Sequence, residues 1–82
     1  MQKPSVGRIV LTYVDPTMNG GQYFAPAIIT KVHSDTMVNL RVFCDGSSTL
    51  HLTSVLLTGT QEDAGQVQRV QGSACWWPPR VG

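Results

Sequence analysis

The sequence predicts an all-β protein, built as a small barrel of about five short antiparallel strands. Three observations lead to this fold class. Five stretches have the β-branched and aromatic composition of strands, turns rich in glycine and asparagine separate them, and no stretch has a convincing helical period. Because a β-sandwich normally needs about seven strands, these stretches favour a barrel of the SH3-like type.

The first strand is expected over residues 8–14, where apolar side chains occupy both faces of an extended chain. Residues 15–24 are expected to form a loop. Pro16 fixes one backbone angle there, and the Asn-Gly-Gly sequence at residues 19–21 takes positive φ at little cost. This loop is long enough to carry a functional site.

A hairpin is expected next, formed by strands over residues 27–32 and 37–43. The four residues between them, 33–36, have side chains that are typical of turns. The Asp45-Gly46 pair then predicts a tight turn after the second strand of the hairpin.

A fourth strand is expected where Leu50, Leu52, Val55 and Leu57 follow one another. Their alternation changes phase between Leu52 and Val55. This change predicts a bulge or bend near residues 53–54, of the kind that lets a small sheet curl into a barrel.

The last third of the chain carries weaker signals. Apolar residues are scarce over residues 58–73 and glycines interrupt any period, which predicts a flexible excursion with room for one short helical turn. A tail rich in tryptophan and proline follows over residues 74–80. Its prolines exclude a central strand but allow an edge strand or an extended tail. Residues 1–82 are therefore expected to form one SH3-like domain.

Chain length makes association with other subunits the expected source of additional stability. A domain of 82 residues buries only about 60% of the surface that its unfolded chain exposes. Cys44 and Cys75 form no closely spaced pair and no cysteine and histidine cluster of zinc spacing. Because this pattern indicates neither a disulfide scaffold nor a structural metal, we expect a homo-oligomer.

Charge and hydropathy disfavour two kinds of partner. The net charge of +1 is far below the excess that neutralises the phosphates of a duplex, which disfavours long nucleic acid. No apolar run approaches the roughly 20 residues that span a bilayer, and the first residues lack the apolar core of a signal peptide. A cytoplasmic protein without membrane contact is expected.

Three segments carry a resemblance to other proteins: KPSVGRIV at residues 3–10, VNLRVF at 38–43 with Asp45-Gly46 after it, and WPPR at 77–80. They resemble a family of small uncharacterised phage and prophage proteins, and the likeness covers most of the chain except the two loops. The family commonly ends in Trp-x-Trp-Pro-x-Arg, whereas this chain has Cys75 at the first tryptophan position. Leu11 also stands where a histidine often follows the opening motif. The resemblance implies a phage origin, a location in the cytoplasm of the bacterial host and an accessory role without catalysis.

A predicted ligand-binding set combines aromatic and basic side chains: Arg8, Tyr13, Arg41, Trp76, Trp77 and Arg80. Trp76 and Trp77 are adjacent, so in an extended segment they point to opposite sides. In a structural interpretation, one seals the barrel end and the other packs on a neighbouring subunit. In a functional interpretation, they form a stacking platform for a planar ligand, and arginines gathered by the fold pair with its phosphates.

The remaining polar residues argue against catalysis. His33 and His51 lie far apart in the sequence, and neither has a nearby carboxylate partner. Three of the five carboxylates stand at predicted turns, where aspartate has a structural role. Cys44 lacks a sequence neighbour that would activate it as a nucleophile. We therefore expect neither enzymatic activity nor a bound metal or cofactor.

Two classes of function fit this sequence, and both are kept open. The first is an oligomeric sponge that sequesters a host antiviral nucleotide signal, such as a cyclic nucleotide or cyclised ADP-ribose, as a form of counter-defence. The second is an interaction or virion structural module that recognises a host or virion protein through its Trp and Pro tail. The phage setting favours the first class, whereas the fold is compatible with either.

Overall fold

The computed structural model describes residues 3–45, 49–67 and 71–79, and five of its strands close into a barrel. The predicted all-β, SH3-like fold is confirmed. In chain order the elements are β1 (Ile9–Tyr13), a 3-10 helix (Pro16–Met18), β2 (Phe24–Ser34), β3 (Met37–Val42), β4 (Leu50–Thr58), α1 (Gln61–Val67) and β5 (Ala74–Trp76).

The strands pair in sequence order, and β5 completes the barrel between β4 and β1. It runs antiparallel to β1 and parallel to β4. The expectation of an edge strand or free tail is therefore wrong for residues 74–76, which are paired on both sides. Proline interferes with pairing only where its missing N–H would be needed, and the first proline of the tail, Pro78, follows the end of β5.

The bulge expected near residues 53–54 is confirmed. Leu40 pairs with Leu52 and Val38 with Val55, so two residues of β4 lie opposite the single residue Asn39 of β3. Ser54 has a φ of 53°. Its backbone N–H donates to Oδ1 of Asn39 over 2.9 Å. The side chain of Asn39 thus provides an acceptor for a backbone N–H that the bulge removes from the regular strand pairing.

The loop expected over residues 15–24 is partly ordered by its own side chains. Asp15 caps the 3-10 helix, because its Oδ1 accepts from the backbone N–H of Thr17 at 3.0 Å and from its hydroxyl at 2.8 Å. These hydrogen bonds stabilise the carboxylate and lower the pKa of Asp15. β2 begins at Phe24, earlier than the predicted residue 27. The predicted Asp45-Gly46 turn falls partly outside the described residues, since Gly46 is not among them.

The flexible excursion expected over residues 58–73 contains the helix α1. The sequence holds a start signal for it, since Thr60 precedes Asp63 by three residues, and the backbone N–H of Asp63 donates to Oγ1 of Thr60 at 3.2 Å. Packing stabilises this short helix, because Ala64 is fully buried against Ala74 and Trp76 of β5. In the part of the chain that the structure describes, no helix has the length and apolarity needed to cross a membrane.

Alternating side chains divide the apolar residues between the inside and the outside of the barrel. Complete burial of one aliphatic side chain contributes about 1.5–3 kcal/mol to the stability of the fold. An outer cluster beneath α1 contains Tyr13, Ala64, Ala74 and Trp76. The interior cluster contains Val10, Val14, Ala25, Ala27, Ile29, Val38, Leu40, Val42, Val55, Leu57 and Cys75.

Candidate functional site

An aromatic cluster lies on the outer face of the barrel where β1, β2 and β5 meet. Trp76, which is 1% exposed, is paired with Leu11 of β1. Its ring centroid lies 4.7 Å from that of Tyr13, with 53° between the ring planes. Phe24 approaches the same indole edge to face, with 6.0 Å between centroids. These tilted and edge-on contacts are arrangements that aromatic rings favour, so the three rings support one another.

A groove of about 410 Å³ opens beside this cluster and is called the apolar groove below. Trp76 lies at its base because so little of that side chain is exposed. Phe24 is 37% exposed and presents its ring to solvent at the groove wall. Among the described residues, the lining is predominantly apolar and comprises Leu11, Phe24, Gly59, Thr60, Gln61, Trp76, Trp77, Pro78 and Pro79.

A second cavity, of about 600 Å³, adjoins the apolar groove and is called the tyrosine pocket below. It is lined by Tyr13, Tyr23, Gln61 and Glu62. Gln61 lines both cavities, and the Tyr13 ring lies against Trp76 at the base of the groove. The hydroxyl of Tyr13 lies 3.5 Å from the backbone oxygen of Gln61, which connects β1 to the start of α1.

The two adjacent tryptophans have different environments. Whereas Trp76 belongs to the outer cluster, Trp77 packs against the interior cluster and is half-buried. The guanidinium carbon of Arg8 lies 5.4 Å from the ring centroid of Trp77, within the range of a cation–π contact. The indole N–H of Trp77 is buried and finds no hydrogen-bond partner within the described ranges. This tryptophan closes the interior cluster and contributes only part of its surface to the groove.

The predicted ligand-binding residues do not form one site in this chain. Tyr13 and Trp76 come together in the outer cluster, and Arg8 lies over Trp77. Arg41 is exposed on β3 between Ile28 and His51, and it lines neither cavity. Arg80 lies outside the described residues.

Sequence reasoning missed several residues that line the two cavities. Tyr23 and Phe24 fall within the loop predicted over residues 15–24, although two neighbouring rings at a strand entry are a signal that an aromatic surface begins there. The sequence predicts that Pro78 and Pro79 exclude a central strand, and in the structure they also form part of the groove lining. Gln61 and Glu62 could be placed only once α1 was recognised.

The two histidines and the two cysteines line neither cavity. His33 Nε2 lies 2.8 Å from Oδ1 of Asn39, and His51 is exposed on β4. Cys44 and Cys75 are both free thiols. Burial raises the pKa of Cys75 to about 12. The described part of the chain contains no group of three or more histidine, cysteine or acidic side chains placed to hold a metal ion.

The fold and its surface define this chain as a small all-β barrel with an aromatic groove on its outer face. No family model, no curated protein and no solved structure matches it.

Proposed function

We propose that the protein is a non-catalytic interaction module whose apolar groove binds an extended, proline-containing segment of a partner protein. The observation that carries this proposal is the groove lining: aromatic rings and prolines beside a packed ring cluster, with no lysine or arginine among those lining residues that the structure describes. Such grooves are typical of surfaces that recognise extended peptides.

The chemistry of the groove favours a proline-containing occupant. Its lining offers few polar groups, so a ligand that buried backbone N–H groups there would leave them unsatisfied. Proline lacks that N–H, and a polyproline II segment is already extended before it binds, which reduces the entropy cost of binding. The proline side chains of such a segment can pack between Phe24 and the Pro78-Pro79 pair, which both line the groove.

Nucleotide sequestration receives less support from the geometry of a single chain. Tyr13 and Trp76 pack against each other instead of presenting two free ring faces. Within the described ranges, neither the apolar groove nor the tyrosine pocket is lined by a basic side chain, and the carboxylate of Glu62 repels phosphate. A nucleotide in either cavity would therefore need phosphate contacts from basic residues outside the described lining. In the phage setting that the resemblance implies, the occupant is a segment of a host or virion protein.

Two phenylalanine variants test the proposal. Phe24 lines the groove, whereas Phe43, the residue that follows β3, is 44% exposed and does not line it. We expect ten-residue peptides with a Pro-x-x-Pro core to bind the wild-type protein in titration calorimetry. Phe24→Ala should weaken that binding by about 1–2 kcal/mol, as loss of an aromatic contact does, while Phe43→Ala should leave it unchanged.

The same titrations include cyclic dinucleotides, cyclic trinucleotides and cyclised ADP-ribose isomers. Circular dichroism of each variant shows whether it remains folded. Heat from a nucleotide, with none from the peptide panel, would favour sequestration over the proposed function. Equal losses of peptide binding in both phenylalanine variants would place the binding surface outside the apolar groove.

A further inference from the structure

The loop before β2 contains the chemically labile pair Asn19-Gly20. Asparagine followed by glycine loses its side-chain amide readily, because glycine has no Cβ to shield its backbone nitrogen. The other asparagine, Asn39, precedes Leu40, whose side chain shields the corresponding nitrogen. Gly20 has a φ of 60°, and a Cβ there would lie 2.7 Å from Oδ2 of Asp45. The fold therefore requires glycine at this position and retains the labile pair.

The reaction of this pair joins the backbone nitrogen of Gly20 to Cγ of Asn19. As the N–Cγ bond forms, the Cγ–Nδ2 bond breaks, and the amide group leaves as ammonia with the proton that the Gly20 nitrogen gives up. The product is a succinimide ring. Water then opens the ring at one carbonyl carbon or the other and gives aspartate or isoaspartate. Water is thus the only other reactant.

The folded loop holds Asn19 in a geometry that opposes ring closure. At its ψ of 37°, Cβ lies nearly opposite the Gly20 nitrogen about the Cα–C bond, whereas the ring needs both atoms on the same side. The side chain is 4% exposed. Its hydrogen bonds to the N–H of Asp45 and to the backbone oxygens of Gln22 and Phe24 restrain rotation. The reaction therefore requires local opening of the loop.

We propose that Asn19 is a site of spontaneous deamidation, which permanently releases the loop before β2. An acid at position 19 lacks both N–H donors, and its charge lies next to Asp45, the residue whose N–H the native amide binds. Isoaspartate also lengthens the backbone by one methylene group. Each opening of the loop thus exposes the chain to a change that closing does not reverse. Only the effect on peptide binding rests on the proposed function, since Phe24 lines the apolar groove.

Ageing of the full chain at mildly alkaline pH tests the site, with peptide mapping by mass spectrometry to distinguish asparagine, aspartate and isoaspartate. We expect conversion of Asn19 in the native protein to be at least about tenfold slower than in urea. Asn39 should stay unconverted over the same period. Asp15→Ala removes the acceptor that caps the 3-10 helix, so it should accelerate conversion in the native protein but not in urea. Asp35→Ala, in the exposed turn between β2 and β3, is the matched control and should accelerate neither.

Modified and unmodified chains are then separated by ion exchange and unfolded with urea. The modified chain should unfold at a lower urea concentration. Equal conversion rates in native and unfolded protein, or equal rates for Asp15→Ala and Asp35→Ala, would overturn the proposal. So would a native sample without product after full conversion in urea, or a modified chain as stable as the unmodified one.

Peptide titrations separate this inference from the proposed function. A modified chain of reduced stability, obtained from a protein that binds no proline-containing peptide, would support the deamidation site and contradict the groove proposal. Peptide binding by the unmodified chain, together with a modified chain that keeps its stability and its affinity, would overturn the inference and leave the groove proposal standing.

Discussion

The side chain of Asn19 accepts a hydrogen bond from the backbone N–H of Asp45, with 2.6 Å between the nitrogen and Oδ1. Its Nδ2 donates to the backbone oxygen of Phe24 at 2.9 Å and to that of Gln22 at 3.3 Å. One buried amide thus joins the loop before β2 to the segment after β3. It also holds the backbone of Phe24, whose ring lines the apolar groove.

We expect Asn19→Ala to reduce the free energy of unfolding by about 1–3 kcal/mol, because it leaves three partly buried backbone hydrogen bonds unmade. Urea unfolding followed by tryptophan fluorescence measures this change. Asn19→Asp retains the acceptor for Asp45 but loses both donors, so its stability should lie at or below that of Asn19→Ala at neutral pH. An Asn19→Ala protein as stable as wild type would show that the loop is held by other contacts.

The hydroxyl of Thr12 is fully buried and donates to the backbone oxygen of Ala74 at 2.9 Å, which joins β1 to β5. Thr12→Val keeps the shape of the side chain and removes the donor, so we expect a loss of about 1–2 kcal/mol in unfolding free energy. Thr30→Val, at an exposed position of β2, is the control and should change stability by less than about 0.5 kcal/mol. Equal effects of the two variants would contradict a role for the Thr12 hydrogen bond.

The thiol of Cys75 should make stability depend on alkaline pH. Because burial raises its pKa to about 12, the folded protein keeps this proton at pH values where the unfolded chain, with the ordinary value of 9.0, has released it. The contribution of the Cys75 thiol to the free energy of unfolding is therefore fully present below pH 9 and is lost as the pH rises toward 12.

Cys75→Val should remove this dependence of stability on alkaline pH. Between pH 9 and pH 12 the free energy of unfolding of the wild-type protein should fall by about 1 kcal/mol per pH unit more than that of the variant. Urea unfolding at several pH values measures the difference. Parallel curves for the two proteins would contradict the raised pKa. Alkylation of the native protein followed by mass spectrometry should label the half-buried Cys44 before Cys75.

An apolar strip on the outside of β1, β2 and the end of β3 supports association between copies of this chain. Ile9 pairs with Ile28 and Leu11 with Pro26, while the N–H of Phe43 donates to the oxygen of Pro26. Ile9 is 45% exposed. Arg41 of β3 pairs with Ile28 at the border of this strip. An exposed apolar strip is a surface that a two-fold interface can bury.

We therefore expect light scattering at micromolar concentration to give a mass above 8.9 kDa. Ile9→Glu should shift that mass toward the monomer because a buried carboxylate would be unpaired in the interface. Thr49→Glu, at an exposed position outside the strip, should not change it. A monomeric wild-type protein would contradict the expected association.

The residue pattern by itself determined β1, β3 and the bend in β4. Alternation at residues 8–14 and 37–43 reproduces β1 and β3 to within a residue at each end, because it reflects which face each successive side chain occupies. The change of phase between Leu52 and Val55 likewise marks the bulge, since one extra residue reverses the faces. These properties are local and can be read along the chain.

Only the tertiary structure decided where the aromatic and basic side chains meet. The sequence indicated that Trp76 and Trp77 face opposite sides, but the pairing of β5 with β1 and β4 determines that Trp76 lies beneath α1 and that Trp77 meets Arg8. The apolar groove likewise joins Phe24 to Pro78 and Pro79 from the other end of the chain. Such contacts depend on barrel closure between distant segments, and no local pattern of residues specifies which distant side chains closure will bring together.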